Sequence, residues 1–189
     1  MTKQKTTHFG HEDVAPHEKQ PKVNAVFERV AQRYDLMNDL MSMGMHRMWK
    51  RIAIRHLRLQ PHHRVCEMAA GTGDLTRLMA AKLDAGSVVM SDINPEMLAL
   101  GRDRMLDLGF LPPKVAPVLA NGEQLPFEDA CFDRMICAFG IRNMTHIDQA
   151  LSQAWRCLKP GGRFVVLEFS TMQLPLLKSV YDAYSFKVI

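Results

Sequence analysis

The turn at residues 69–74 constrains the fold of this chain more than any other segment. It reads Ala-Ala-Gly-Thr-Gly-Asp and follows an apolar run at 65–69. Residues this small let the backbone approach a ligand closely, and the first amides of a helix behind the turn point outward. Asp92 follows Gly73 by 19 residues and ends the next apolar run, where an acid can bind the hydroxyls of a ribose. The turn and the acid together predict a site for a ligand that contains a nucleoside.

The rest of the chain continues this alternation of short apolar runs and amphipathic stretches. We predict strands at 65–69, 87–92, 115–120, 133–139 and 163–169, and helices at 74–83, 95–108 and 147–158. Asn94 is the expected N-cap of the second helix, and the Pro-Gly-Gly sequence at 160–162 is expected to stop the third. Strands separated by helices indicate an α/β fold, doubly wound around a mostly parallel sheet.

Two amphipathic stretches precede this core. The first runs from residue 23 to residue 34 at helical spacing. The second carries its apolar residues at Met45, Met48, Trp49 and Ile52, with Leu57 nearby. Residues 1–20 are polar and aperiodic, which predicts a flexible tail. We therefore divide the chain into a tail at 1–20, two lid helices at 21–60 and a ligand-binding core at 61–189.

Composition excludes several classes of protein. Apolar residues make up 47% and charged residues 23% of the chain, as in a globular domain. We expect neither a signal peptide nor a membrane span, since no apolar run approaches ~18 residues. The net charge of +4 comes from scattered Lys and Arg, which indicates a solvated basic surface or attraction to an anionic membrane rather than nucleic acid binding. These properties fit a bacterial cytoplasmic protein that is either soluble or bound to the inner membrane as a peripheral protein.

The four cysteines show no spacing that would ligate a metal: Cys66, Cys131, Cys137 and Cys157. We expect them to be small buried residues of a protein in a reducing compartment. The sequence predicts no metal site.

Two acids near the glycine turn distinguish between nucleotide cofactors. The dehydrogenase fingerprint Gly-x-Gly-x-x-Gly has no match, because Asp74, Leu75 and Thr76 follow Gly73. Asp74 at a helix start would repel a pyrophosphate but not the positive sulfonium and ammonium groups of S-adenosylmethionine. Glu67 lies inside an apolar run and needs a partner. That partner is the cationic amine of the cofactor or the amides of the loop, unless the acid turns to a polar edge of the strand.

Asn121 and Gly122 follow the third predicted strand. The Asn121 side chain can hydrogen-bond the edge of an adenine, with the Gly122 amide close by. An ordinary Asn-Gly turn explains the same two residues. Both interpretations remain open.

Several segments together resemble the ubiquinone/menaquinone biosynthesis C-methyltransferases. They lie at 23–42, 46–50, 70–75, 139–143, 159–162, 167–170 and 181–186. The glycine turn and Lys-Pro-Gly-Gly are shared by many class I methyltransferases. Tyr-Asp-Leu-Met-Asn-Asp at 34–39 and Phe-Gly-Ile-Arg-Asn at 139–143 are specific to this family. The resemblance runs from about residue 6 to the last residue.

This resemblance implies a Rossmann-like core that transfers a methyl group from S-adenosylmethionine to a ring carbon of a prenylated benzoquinol or demethylmenaquinol. By matching positions it implies cofactor contacts at Thr72, Asp92, Asn121 and Gly122. The turn and the strand ends add four further candidates: Glu67, Gly71, Gly73 and Ala138. The family usually has Asp, Gly and Ser where this chain has Glu67, Ala70 and Ala138.

Arg142 and Asn143 are the candidate catalytic residues. A quinol ring carbon becomes nucleophilic when an ortho or para hydroxyl loses its proton, so the site must assist deprotonation and stabilise the phenolate. The Arg142 guanidinium can stabilise an oxyanion or poise a water that the Asn143 amide orients. Tyr34 can join them from the lid, and the resemblance assigns all three positions to proton abstraction. The alternative is a surface charge at Arg142 and a helix cap at Asn143.

The Met-rich link between the two N-terminal stretches has two interpretations. It either lines a channel for a prenyl tail or makes ordinary packing contacts through Met37, Leu40, Met41, Met43, Met45 and Met48. The expected partners are the prenylated quinol, the membrane surface, other enzymes of quinone biosynthesis and a second copy of the chain.

Two alternative functions stay open. One is a methyltransferase for another small molecule or RNA. The other is a truncated, non-catalytic interaction subunit, because related folds close with a hairpin of two further strands that we do not find in this sequence.

Overall fold

The computed structural model of the chain describes residues 7–9, 12–15, 18–19, 21–22 and 44–168. A short antiparallel hairpin, β1 (Thr7–Phe9) and β2 (Glu12–Val14), comes first. The main sheet has five strands: β3 (Arg64–Met68), β4 (Ser87–Asp92), β5 (Val115–Leu119), β6 (Phe132–Ala138) and β7 (Leu158–Leu167). All neighbouring pairs of this sheet are parallel, and their order is β5-β4-β3-β6-β7.

The helices of the described residues cover both faces of the sheet. They are α1 (Met45–Leu57), α2 (Asp74–Ala80), α3 (Pro95–Asp107) and α4 (Ile147–Cys157), with a 3-10 helix at Ile141–Asn143. One buried cluster joins the sheet to α1, α2 and α3, and a second joins it to α4. The chain moves outward from β3 to β5 and then returns to β6 beside β3. The predicted doubly wound fold is confirmed, and its switch point lies between β3 and β6, where such sheets bind ligands.

Most predicted elements are present with shifts of a few residues at their ends. Strand β4 has the predicted bounds. The Asn94 side chain caps α3 as expected, because its Oδ1 accepts hydrogen bonds from the amides of Glu96 and Met97 at 3.0 Å each. Pro95 occupies the first turn behind this cap, where its missing N–H costs nothing.

The fifth strand differs from the prediction. Helix α4 ends at Cys157, before the Pro-Gly-Gly sequence, and Leu158 already has extended backbone (φ −80°, ψ 135°). Lys159 precedes a proline, which disfavours helical backbone there. The residues 160–162 lie inside β7, Gly161 has φ 76°, and the register with β6 is irregular at this point. Pro-Gly-Gly therefore forms an irregularity within the strand, and the predicted start at residue 163 is wrong.

The predicted apolar face of α1 is also wrong. Met45, Met48 and Ile52 are 46%, 50% and 41% exposed. The buried face consists of His46, Lys50, Ala53, Ile54 and Leu57. The sequence offers two faces that carry apolar residues, and the inward one includes polar groups that have partners inside the protein. The pattern of apolar residues alone could not choose between them.

Burial of the cysteines is confirmed. Cys66, Cys137 and Cys157 are buried, Cys131 is partly buried, and all four are free thiols. Burial raises the pKa of each thiol, in the case of Cys137 to about 12.

The structure describes only part of the N-terminal segment about which predictions were made. The structure describes a hairpin and a buried lysine, Lys19, within the segment 1–20. The predicted helix at 23–34, Tyr34 and the Met-rich link up to residue 43 lie outside the described residues. In the part of the chain that is described, no helix is long and apolar enough to cross a membrane.

Candidate functional site

The glycine turn between β3 and α2 has the unusual backbone that its small residues permit. Ala69, Gly71 and Gly73 have positive φ angles of 53°, 56° and 81°. Helix α3 packs tightly against this turn, because a Cβ at Gly101 would lie 2.9 Å from the Gly71 carbonyl oxygen. The turn is therefore held close to α3 and leaves its other side to the cleft.

Asp92 holds the glycine turn at the end of β4. Its Oδ2 accepts a hydrogen bond from the Gly71 amide at 2.7 Å, and its Oδ1 accepts one from the Asn94 amide at 2.8 Å. Burial raises the pKa of Asp92, while these amides oppose the rise. The predicted ribose-binding acid thus lies directly beside the turn.

The cleft beside the turn brings together four of the predicted cofactor residues, Glu67, Gly71, Thr72 and Ala138. Its full lining is Lys50, Glu67, Ala69, Ala70, Gly71, Thr72, Asp74, Leu75, Ala138 and Phe139. Gly73 follows directly as the residue before α2. The cleft lies at the carboxyl ends of β3 and β6, as expected for this fold.

Glu67 is buried and has a partner that the sequence arguments did not name. The Thr76 hydroxyl donates a hydrogen bond to Glu67 Oε2 at 2.5 Å. Burial raises the pKa of Glu67 to about 8, although Thr76 and Lys50 act in the opposite direction. At neutral pH this carboxyl therefore keeps its proton for most of the time, unless a positive charge enters the cleft.

Asp74 does not act in the way that the sequence argument assumed. Its Oδ2 lies 2.8 Å from Lys50 Nζ, and its Oδ1 lies 2.9 Å from an Arg104 guanidinium nitrogen. Burial would raise the pKa of Asp74, but the two cations lower it. An acid with two cationic partners does not repel a pyrophosphate strongly, so the argument against pyrophosphate cofactors fails at this residue.

Asn121 and Gly122 form a turn after β5. The Asn121 side-chain oxygen accepts a hydrogen bond from the Glu123 amide at 2.9 Å. A Cβ at Gly122 would lie 2.7 Å from the Met144 side chain, so glycine lets this turn contact the segment after β6. The structure shows the Asn-Gly turn, and the adenine contact stays a prediction.

Arg142 and Asn143 lie in the 3-10 helix after β6. The Arg142 side chain is 49% exposed, and its guanidinium lies 3.5 Å from a carboxylate oxygen of Glu168 at the end of β7. Helix α4 begins at Ile147, and His146 precedes it as the N-cap. The alternative in which Asn143 caps this helix is therefore not observed.

Two buried or half-buried charges hold the segment 139–146, which we call the arginine turn. The Lys19 ammonium donates hydrogen bonds to the carbonyl oxygens of Arg142 and Met144 at 3.0 and 2.8 Å. Burial lowers the pKa of Lys19, and the charge of Glu123 opposes this. Glu123 Oε1 accepts hydrogen bonds from the amides of Thr145 at 2.6 Å and His146 at 3.1 Å.

The arginine turn and the cofactor cleft are in contact. Phe139 lines the cleft and has a φ of 56°. A Cβ at Gly140 would lie 2.4 Å from the Ala69 Cβ. Arg142 therefore sits on a segment that packs directly against the glycine turn. Lys19, Lys50 and Glu123 were missed as site residues, and only Lys50 had a signal, the motif at 46–50.

The fold and the cleft define a Rossmann-like α/β protein with its ligand cleft at the switch point of the sheet. Its solved structural neighbours include the YcgJ protein from Bacillus subtilis, with a TM-score of 0.63 and 21% identity over 73% of this chain and 57% of that one. A SAM-dependent methyltransferase from Aquifex aeolicus has a TM-score of 0.60 and 16% identity over 67% and 66% of the two chains. Identities this low show the fold alone.

Sequence comparison identifies the family. The model of the ubiE/COQ5 methyltransferase family matches residues 15–189, and the chain belongs to this family. The ubiquinone/menaquinone biosynthesis C-methyltransferase UbiE of Methylococcus capsulatus is 52% identical over 185 residues, 97% of this chain and 74% of its own length. The UbiE of Ectopseudomonas mendocina is 52% identical over 96% of this chain and 71% of its own length. The predicted methyltransferase class and the cofactor S-adenosylmethionine are confirmed by this membership.

The residues of the cleft fit S-adenosylmethionine. Small residues line the turn, and Asp92 lies beside it at the end of β4. Glu67 supplies a buried carboxyl group whose ionised form a bound cationic group would stabilise. Which of these residues contact the cofactor stays a prediction.

Proposed function

We propose that this chain methylates a ring carbon of a prenylated benzoquinol or demethylmenaquinol. The observation that carries this proposal is the position of Arg142, on a segment packed against the glycine turn, in a chain 52% identical to proteins named for this activity. A methyl acceptor activated by Arg142 would lie beside the cofactor cleft rather than across the molecule from it.

The residues around the turn suit the activation of a quinol. Bound S-adenosylmethionine supplies an electrophilic methyl group. The Arg142 guanidinium would stabilise the phenolate oxygen by hydrogen bonds while the hydroxyl proton passes through a neighbouring water to the solvent, to which this half-exposed side chain is open. Glu168 holds the guanidinium from one side, at 3.5 Å. Asn143 orients the water or the hydroxyl, and Tyr34 is the proposed third member of the set.

Product analysis tests this proposal. The purified protein is incubated with S-adenosylmethionine and either a reduced demethylmenaquinone or a reduced prenyl benzoquinone, and the lipid extract is analysed by mass spectrometry. We expect the gain of one methyl group on at least one of the two quinones. Binding of the cofactor without methylation of either quinone would overturn the proposed acceptor and leave the cofactor assignment intact.

We also propose that the protein meets its acceptor as a peripheral membrane protein, through the outward face of α1. Met45, Met48 and Ile52 are exposed on this face, beside the exposed Arg51 and Arg55. Apolar residues next to arginines on one helix suit a bilayer with anionic headgroups, where the former enter the interface and the latter pair with the lipids.

Vesicle binding tests the membrane proposal. The protein is sedimented with phosphatidylcholine vesicles that contain or lack phosphatidylglycerol. We expect binding to the anionic vesicles and its loss in Met48→Glu/Ile52→Glu. The control is Leu111→Glu, a substitution at a residue that is 59% exposed in the connection between α3 and β5. Equal binding of all three proteins would contradict the proposed face.

A further inference from the structure

Lys50 lies inside the cofactor cleft although its helix precedes the nucleotide-binding core. It is only 8% exposed and lines the cleft together with Glu67, Gly71 and Thr72. Helix α1 turns this side chain inward, on the same face as Leu57. A buried lysine requires anionic partners, so its place in this cleft calls for an explanation.

One partner of Lys50 is Asp74, but Asp74 does not depend on it. Lys50 Nζ is 2.8 Å from Asp74 Oδ2, whereas Arg104 binds the other oxygen, Oδ1, at 2.9 Å. An ammonium group has three donors, and the bond to Asp74 uses one of them. Lys50 can therefore bond a second anion while Asp74 stays paired with Arg104.

The cleft contains an ammonium and a carboxyl group at the same time. Lys50 and Glu67 both line it, and the charge of Lys50 lowers the pKa of Glu67 against the effect of burial. The amino-acid end of S-adenosylmethionine carries the opposite pair, a carboxylate and an ammonium on one carbon. Charges arranged in this way recognise an α-amino acid by charge-assisted hydrogen bonds.

We infer that Lys50 binds the carboxylate of the cofactor's amino-acid end, while Glu67 binds its ammonium. The inference rests on S-adenosylmethionine as the cofactor and is independent of which quinol accepts the methyl group. It assigns a binding role to α1, which reaches the cleft from outside the βαβ units that form it.

Ligands that differ only in the amino-acid end test this inference. S-adenosylhomocysteine carries this end, and 5′-methylthioadenosine has the same thioether nucleoside without it. Calorimetry gives the Kd of each ligand for the wild type, Lys50→Met and the control Arg77→Met, which removes an exposed cation from α2 outside the cleft lining. The loss of one charge-assisted hydrogen bond should weaken S-adenosylhomocysteine binding to Lys50→Met about ten- to a hundredfold.

The expected pattern has two further parts. Lys50→Met should bind 5′-methylthioadenosine as the wild type does, and Arg77→Met should bind both ligands as the wild type does. Equal weakening of both ligands in Lys50→Met would show that Lys50 only supports the cleft, and unchanged binding of both would show no role. Either result overturns the inference.

A second variant removes the concern that Lys50→Met leaves Asp74 short of a partner. In Lys50→Met/Asp74→Asn the partly buried carboxylate is removed together with Lys50, and selective loss of S-adenosylhomocysteine binding should persist. Failure of the wild type to bind S-adenosylhomocysteine would overturn the cofactor assignment together with this inference. Normal binding without quinol methylation would overturn the proposed acceptor alone.

Discussion

The cofactor cleft and the arginine turn touch each other, yet they are held in different ways. Most of the cleft is built from the segment that runs from β3 to the start of α3, and the main contacts in this segment join Asp92 to the Gly71 and Asn94 amides and Thr76 to Glu67. The arginine turn is held by side chains from distant parts of the chain, of which Lys19 is more than 120 residues away in sequence.

This difference separates two properties of the protein. Cofactor affinity depends on contacts within the βαβ units, which many proteins share, and on Lys50, which α1 adds to the cleft. The position of Arg142 depends on Lys19, Glu123 and Glu168, which belong to three separate segments. Substitutions in the second set should therefore change turnover without changing cofactor affinity.

The largest difference between the effect on turnover and the effect on cofactor affinity is expected from Arg142→Ala. If Arg142 stabilises the phenolate as proposed, removal of its guanidinium should lower kcat about a hundred- to a thousandfold. The Kd for S-adenosylhomocysteine should stay the same, because Arg142 lies outside the cleft lining. Steady-state kinetics and calorimetry measure the two quantities, and Arg142→Lys is the matched control with partial activity. A parallel loss of cofactor affinity would show that the two regions are not separable.

The contact between the two regions can be broken by Gly140→Ala. The added Cβ would lie 2.4 Å from the Ala69 Cβ, so the turns must move apart. Overpacking of this kind costs about 1–3 kcal/mol of the free energy of unfolding, which denaturant titration measures. Ala69→Gly removes the opposing methyl group, and the double variant should regain the lost stability. No recovery in the double variant would place the strain elsewhere.

Lys19→Met should loosen the arginine turn from its N-terminal side. Two carbonyl oxygens, of Arg142 and Met144, lose their ammonium donor, and loss of a buried partner costs about 1–3 kcal/mol. We expect kcat to fall about two- to tenfold if roughly half of this free energy goes to the position of Arg142, with cofactor affinity unchanged. Lys19→Arg keeps a cation and should recover part of kcat. A variant that loses stability but not kcat would contradict a positioning role.

On the cofactor side, Glu67→Gln should change the pH dependence of stability. The native carboxyl keeps its proton up to about pH 8, whereas its ordinary pKa is 4.5. The native state thus binds more protons than the unfolded state between these values, so the free energy of unfolding falls as the pH rises through this range. The slope is at most about 1.4 kcal/mol per pH unit.

Urea titrations across that pH range measure this slope. The charged groups facing Glu67 are Lys50 and Asp74, and both remain in Glu67→Gln. The variant should therefore lack the part of the slope that Glu67 contributes. An identical slope in the wild type and the variant would contradict the raised pKa.

The elements of the cleft could be predicted because their signals are local. The glycine turn, Asp92 and the Asn94 cap each follow from residues a few positions apart. The arginine turn could be placed after β6 for the same reason. The residues that hold the arginine turn could not be predicted. Lys19 and Glu123 contact it from distant parts of the chain, and no sequence spacing relates them to Arg142.

Two wrong predictions have a common physical cause. The outward face of α1 and the charge of Asp74 were both judged from residue type, without knowledge of the partner. Lys50 explains both errors. Its side chain lies on the inward face of α1, and its ammonium group pairs with Asp74. A partly buried ion pair between residues 24 positions apart leaves no periodic signal in the sequence.

The buried thiols have a consequence for a protein that handles quinones. Quinones are electrophiles that add to thiolates, and a thiol with a raised pKa forms little thiolate at neutral pH. All four cysteines have raised pKa values, and Cys137 lies on β6 directly before the cleft residue Ala138. The fold thus keeps the Cys137 thiol protonated next to the cofactor cleft, which makes this thiol a poor nucleophile toward an oxidised quinone.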